Sequence, residues 1–218
     1  MSYSIHYGVA ADLPALAKVH RQAFPNSLAT AMGQQYVERM LSWFLSSDKT
    51  FIFYVKTDSG EIAGYCGGMI KDGTLLTGSA SGMLQHSFNM AMMSMALRPW
   101  LFFHKEMTHR YGFMLSNITR KLLRKPAAAA PQQKTEEKPV GNTASVGLVT
   151  IGVKPSFFGK GVGSVLLQEF ERKSKELKIP KIYLSVKADN DQAIKAYERN
   201  GWKKVRVNDT SLNMDKDI

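Results

Sequence analysis

Apolar residues along this chain recur at two spacings, and the switches between them outline its elements. Residues 4–10 read as a strand. Leu13, Leu16, Val19 and Phe24 then follow near helical spacing behind Asp12, a residue suited to cap a helix, with Pro14 in the first turn. A second helix is predicted over residues 28–45, with Tyr36, Val37, Met40, Leu41 and Phe44 on its apolar side. Residues 50–56 and 61–70 are β-rich runs around Asp58-Ser59-Gly60, which predicts a hairpin.

Residues 81–123 read as helices broken near Pro99 and hold seven of the twelve methionines: Met83, Met90, Met92, Met93, Met95, Met107 and Met114. The Pro- and Ala-rich stretch that follows has the composition of a flexible linker, placed at residues 126–142. Core-like sequence resumes at Ala144. The predicted order from there is strand 145–153, a glycine-rich loop, helix 163–177, strand 181–186, helix 191–200 and strand 202–207. Pro180 ends the first of these helices and Gly201 suits the C-terminus of the second. Strands alternating with helices argue for an α/β or α+β sheet with helices packed on it.

Composition changes this picture little. At 218 residues, 44% hydrophobic and 22% charged, the chain has the make-up of one ordinary globular domain, 1–218, with a helical insertion at 73–125. The first twenty residues do not resemble a secretory signal, and residues 73–97 are too rich in Ser, Gly, Gln and Asn to span a membrane, so a cytoplasmic location is expected. Cys66 stands alone among Gly and Ala, which fits a small buried hydrophobe better than a reactive thiol. The five histidines have no metal-ligand spacing, so no metal is expected.

The net charge of +11 is uneven: residues 79–125 hold seven basic side chains against Glu106 alone. That segment suits an anionic partner. The aromatics do not alternate with bases along a strand, which argues against nucleic acid.

The loop carries the chemistry. Strand 145–153 leads through Lys154-Pro155 into Phe158-Gly159-Lys160-Gly161-Val162-Gly163-Ser164, and an apolar helix follows at once. Alternate glycines let successive N–H groups turn into one cavity, and the helix start adds unpaired donors and the positive end of its dipole. Such a loop binds a phosphate or pyrophosphate, though a ligand-free turn uses the same residues. A Walker-type loop would need Ser or Thr after the lysine, where Gly161 stands, and the Gly-x-Gly-x-Gly spacing does not suit a dinucleotide fold.

Three motifs in order, Val153-x-Pro155, Gly159-x-Gly161-x-Gly163 and Asn190-x-x-Ala193-x-x-x-Tyr197-x-x-x-Gly201-Trp202, resemble the cofactor-binding core of the GNAT N-acetyltransferase superfamily. The resemblance implies a GNAT-like mixed central sheet flanked by helices, the insertion and linker lying between the third and fourth strands. It also implies an acetyl-CoA-binding core at 144–207. By analogy, the amides from Gly159 to Ser164 hold the pyrophosphate, and the backbone of Ile151, Gly152 and Val153 pairs with the pantetheine arm and polarises the thioester. The amine then attacks directly.

On a helix beginning near Asn190, positions 190, 193, 194 and 197 share a face. Small Ala193 leaves room there, Asn190 caps the helix or meets the ligand, and Tyr197 is the candidate general acid. The alternative for Tyr197 is a core tyrosine whose hydroxyl finds a backbone partner. Phe158 departs from the family, which commonly has Arg or Gln there, so binding would rest on main-chain donors and Lys160. Strand 145–153 lacks a carboxylate base, which leaves a water relay, Glu61, His20 or His86.

The expected acceptor is a small primary amine, such as an amino sugar or a nucleotide-linked amino sugar, attracted by the basic insertion. Peripheral contact of Leu97 to Phe103 with an anionic membrane ranks below this, and a homodimer is compatible with it. A non-catalytic acyl-CoA-binding module and a protein N-acetyltransferase are the competing functions.

Overall fold

In the computed structural model, residues 2–71, 79–108, 144–207 and 210–218 are described. Seven strands form one sheet: β1 (Tyr3–Tyr7), β2 (Thr50–Thr57), β3 (Ile62–Lys71), β4 (Ser145–Val153), β5 (Lys181–Lys187), β6 (Lys203–Val207) and β7 (Ser211–Asp217), in the spatial order β1-β2-β3-β4-β5-β7-β6. All neighbours are antiparallel except β4 and β5.

The helices form two layers. α1 (Leu13–Ala23), α2 (Leu28–Met32), α3 (Gln34–Leu41), α4 (Ser79–Leu97) and α5 (Lys105–Thr108) precede β4. α6 (Val162–Glu176) and α7 (Asp191–Arg199) follow it. Leu16, Val37, Leu41, Phe44 and Tyr65 bury one face of the sheet under the first group. Val146, Leu166, Phe170, Ile182 and Tyr197 bury the other under α6 and α7.

The predicted helix at 28–45 is broken. α2 stops at Gly33, whose φ of +101° favours glycine, and residues Ser42–Leu45 tighten into a 3-10 turn. β1 ends at Tyr7 rather than residue 10, because Ala10–Asp12 wind into a 3-10 turn that delivers the chain to α1. Asp12 caps backwards there: its carboxylate accepts from the Val9 amide at 3.0 Å.

The core reaches past residue 207. β7 inserts between β5 and β6, placing Leu212 and Met214 inward and pairing β5 along its whole length.

The methionines of α4 and α5 build no core of their own. Met95 and Met107 are buried in the α1–α3 cluster, with Met83 and Met90 partly so. Met114, the rest of the helices expected up to residue 123 and the 126–142 linker lie outside the described residues. Among the described residues no helix is long and apolar enough to cross a membrane, and no three His, Cys, Asp or Glu side chains gather as a metal site.

Candidate functional site

β4 is paired on one side and open on the other. Toward β3 it is bonded from Ser145 to Val153, with an extra residue, Val149, bulged between the pairs Gly68–Leu148 and Gly67–Thr150. Toward β5 the pairing stops after four pairs, at Leu148–Leu184. Beyond the bulge the two parallel strands part, and the main chain of Val149 to Val153 has no strand on that side. Peptide groups at such an edge demand partners, so an extended chain carrying amides would fit there.

The loop after β4 is anchored at its root and open at its tip. Phe157 is buried, and the Tyr3 hydroxyl donates to the Lys160 carbonyl at 3.0 Å. Gly159 and Gly161 have φ of +75° and +82°, the left-handed region where a side chain is strained. Gly163 has no such constraint, yet a Cβ built on it meets nothing within 4 Å. Its missing side chain leaves a free space over the first turn of α6.

The first helical bond runs from the Val165 amide to the Gly161 carbonyl at 3.1 Å, so the N–H groups of Val162, Gly163 and Ser164 precede it and have no acceptor in the helix. A diphosphate would meet there both donors and the positive end of a 15-residue helix. The Lys160 ammonium lies 5.3 Å from the Phe157 ring centre, while Phe158 is half exposed and offers no polar group. The Ser164 hydroxyl accepts from Asn200 at 3.4 Å and so ties the start of α6 to the end of α7.

α7 packs on the same side of the sheet as α6. The Asn190 side chain caps it by accepting from the Ala193 amide at 3.2 Å, which uses that oxygen for the helix. Tyr197 is buried among the residues under α6 and α7, where Ile151 and Val153 also pack. It shares this cluster with Cys66, the register partner of Ile151. Among the described residues no protein group hydrogen-bonds to its hydroxyl, which removes the reading of a core tyrosine satisfied by the backbone. Burial raises its pKa, so it is protonated and a donor throughout the neutral range. Burial likewise pushes the Cys66 thiol up and leaves it unreactive.

The opposite face of β4 holds groups that the sequence did not single out together. The Tyr65 hydroxyl lies 3.2 Å from Thr150 Oγ1 and 2.5 Å from His20 Nδ1. This string crosses from α1 through β3 to the residue beside Ile151. His20 is buried with its pKa lowered to about 4 by desolvation, so it is neutral and its value lies too low for a proton store.

Of the other base candidates, Glu61 is held by Lys154 at 2.8 Å, and His86 lies against Ser42 on the α3–α4 seam. Over Gly152, a Cβ would meet the Tyr65 ring at 2.8 Å and Phe24 at 3.0 Å, so glycine there lets the end of α1 rest on the open strand. α5 completes this side, because Glu106 accepts from the Leu28 amide at 3.0 Å and from Lys187, at the end of β5, at 3.1 Å.

Residues 128–202, which include the loop and α7, match the model of the Acetyltransferase (GNAT) family. Over that segment the chain is similar to the GNAT acetyltransferases. Solved structures that include N-acetyltransferases share its fold at low identity. PaiA N-acetyltransferase from Thermoplasma acidophilum, in complex with coenzyme A, matches with a TM-score of 0.55 at 16% identity, covering 100% of both chains. NAA60 from Arabidopsis thaliana, in complex with acetyl-CoA, matches with 0.57 at 14%, covering 100% of this chain and 99% of that one. Ribosomal-protein-alanine N-acetyltransferase from Brucella melitensis matches with 0.54 at 15%, covering 99% of each.

Proposed function

We propose that the chain transfers an acetyl group from acetyl-CoA to a primary amine on a small molecule, by direct attack, in the cytoplasm. The observation that carries this reading is the unpaired edge of β4, flanked by the free amides of α6 and by a tyrosine hydroxyl that no protein group engages. Val162, Gly163 and Ser164 would hold the pyrophosphate through their amides, and the Gly163 space fits it. Ile151, Gly152 and Val153 would pair with the pantetheine amides. Acetyl-CoA supplies an activated thioester whose carbonyl oxygen gains charge as the nitrogen adds.

A main-chain amide of the open strand would stabilise that charge, being fixed in place beforehand. Tyr197 would donate to the sulfur as the C–S bond breaks. On the other face, Thr150 would orient the incoming amine, held by Tyr65 and His20, and the released proton would leave through water.

A small acceptor is favoured over a protein because α5 closes over the start of α2 and the end of β5 through Glu106. The test is thiol release from acetyl-CoA with a panel of primary amines and N-terminal peptides. Release with small amines alone is the expected result. Tight acetyl-CoA binding without release from any amine would sink the enzyme reading in favour of a binding module.

A further inference from the structure

A second opening lies between the C-terminal half of α4 and the junction of α2 with α3. It is a cavity of about 340 Å³, walled by Met32, Met90 and Met93 and edged by Gln34 and Arg98. That volume falls at the lower end of the roughly 300–1,000 Å³ typical of small-molecule pockets. Methionine walls adapt to the shape of an occupant.

One charged group in the wall lacks a counter-ion. Arg98 is half buried, and its guanidinium donates to the main-chain carbonyl of Met32. Among the described residues no carboxylate pairs with it. The fit is close: a Cβ on Gly33 would stand 2.7 Å from Arg98 Nη1, so glycine there makes room for the guanidinium. A cation partly withdrawn from water, in a chain of net charge +11, is costly without a counter-charge.

Gln34, beside it, is held by its neighbours. Its Nε2 donates to the Pro14 carbonyl at 2.9 Å and to Glu38 Oε1 at 2.8 Å. Both partners are acceptors, so the carboxamide has one orientation, and Oε1 is left buried with no donor. The unmet need of the wall is therefore an anion at Arg98, since Gln34 Oε1 is shut off from the opening. The start of α3 adds positive potential at the same place.

The cavity lies on the amine side of the sheet. Phe24, at the end of α1, comes to rest over Gly152 on the open strand. Thr30 Oγ1 and Ser27 Oγ donate to the Phe24 carbonyl at 2.8 and 3.0 Å and fasten α2 to that corner. The five residues of α2, a helix about 7.5 Å long, then lead to Met32 and Gly33.

We propose that this cavity binds the anionic group of the amine acceptor, a phosphate or carboxylate, with Arg98 as its counter-ion. The word acceptor rests on the transferase reading; the anion site itself does not. The full chain is therefore tested first for binding alone, by thermal unfolding and calorimetry with inorganic phosphate, and separately with acetate, at constant ionic strength set by chloride. One of the two anions raises the unfolding temperature of the native chain. Arg98→Met abolishes that response and Arg98→Lys keeps part of it, while both variants bind acetyl-CoA like the native chain.

A response to phosphate identifies a phosphorylated acceptor, and a response to acetate a carboxylated one. Equal responses in the native chain and Arg98→Met, or no response to either anion, would overturn the site. Turnover forms the second arm, with glucosamine against glucosamine 6-phosphate for a phosphate site, or an amine against its carboxylated analogue. The charged member is expected to have a kcat/KM about tenfold or more higher, a preference that Arg98→Met removes. Anion binding with no turnover of any amine would count against the transferase reading and leave the site standing.

Discussion

Gly163 and Tyr197 are the residues at which structural and functional roles separate most cleanly. Gly163 has ordinary helical backbone, and a Cβ there touches nothing. Gly163→Ala should therefore fold at least as stably as the native chain, since alanine is favoured over glycine in a helix by about 1 kcal/mol. It should nevertheless bind acetyl-CoA about tenfold more weakly, because the methyl group enters the space over the N–H donors. Calorimetric titration beside thermal unfolding checks both halves, and unchanged affinity would remove Gly163 from the cradle.

For Tyr197→Phe the same logic runs through the hydroxyl. No protein group is left unpaired by its loss, so stability should change by less than about 0.5 kcal/mol. A general acid typically contributes about 10²–10⁴-fold, so kcat should fall at least about a hundredfold, with acetyl-CoA affinity preserved. Steady-state kinetics with a competent amine decides it.

Between elements, the seam joining α1 to β3 carries a pH signature. His20 has a pKa of about 4 in the fold, against about 6.5 when unfolded. The unfolded chain therefore binds the extra proton first as the pH falls. Stability from this group is complete above pH 6.5 and is lost progressively down to about pH 4, by about 3 kcal/mol in total. His20→Gln, with no proton to take up, should flatten that acid limb although it starts from lower stability. Unfolding measured from pH 4.5 to 7.5 is the check; an unchanged slope would assign the limb to other groups.

Those elements also show what was legible in the sequence. β4, the loop and α6 read correctly because each depends on adjacent residues: alternate glycines, a run of Val and Leu, a helix start. α2 and α3 read as one helix because apolar spacing continues through Gly33, and only its backbone angle breaks the register. β7 went unread because Leu212 and Met214 are its only buried residues among polar neighbours. The string His20–Tyr65–Thr150 joins positions 45 and 85 residues apart, a relation no local pattern encodes. The Val149 bulge is equally silent, since it is a property of pairing with β3.

At the scale of the whole molecule, one carboxylate ties three distant elements together on the side proposed for the amine. Glu106 joins α5 to the amide at the start of α2 and to Lys187 at the end of β5, contacts that span 78 and 81 residues. The Lys187 side chain is 69% exposed, so its ion pair contributes at most about 1 kcal/mol. The bond from the Leu28 amide to a charged oxygen, on a side chain 25% exposed, contributes more, about 1.5–3 kcal/mol. Glu106→Ala should therefore lower the unfolding temperature by several degrees, while Lys187→Ala alone has a much smaller effect. Neither residue belongs to the Gly163 cradle, so acetyl-CoA affinity should hold in both variants. The KM for the amine should rise in Glu106→Ala, because α5 and the start of α2 no longer share a fastening on the side the amine enters. If KM is unchanged while stability falls as expected, α5 is a brace for the fold and the acceptor is bounded by β4, α1 and α2 alone.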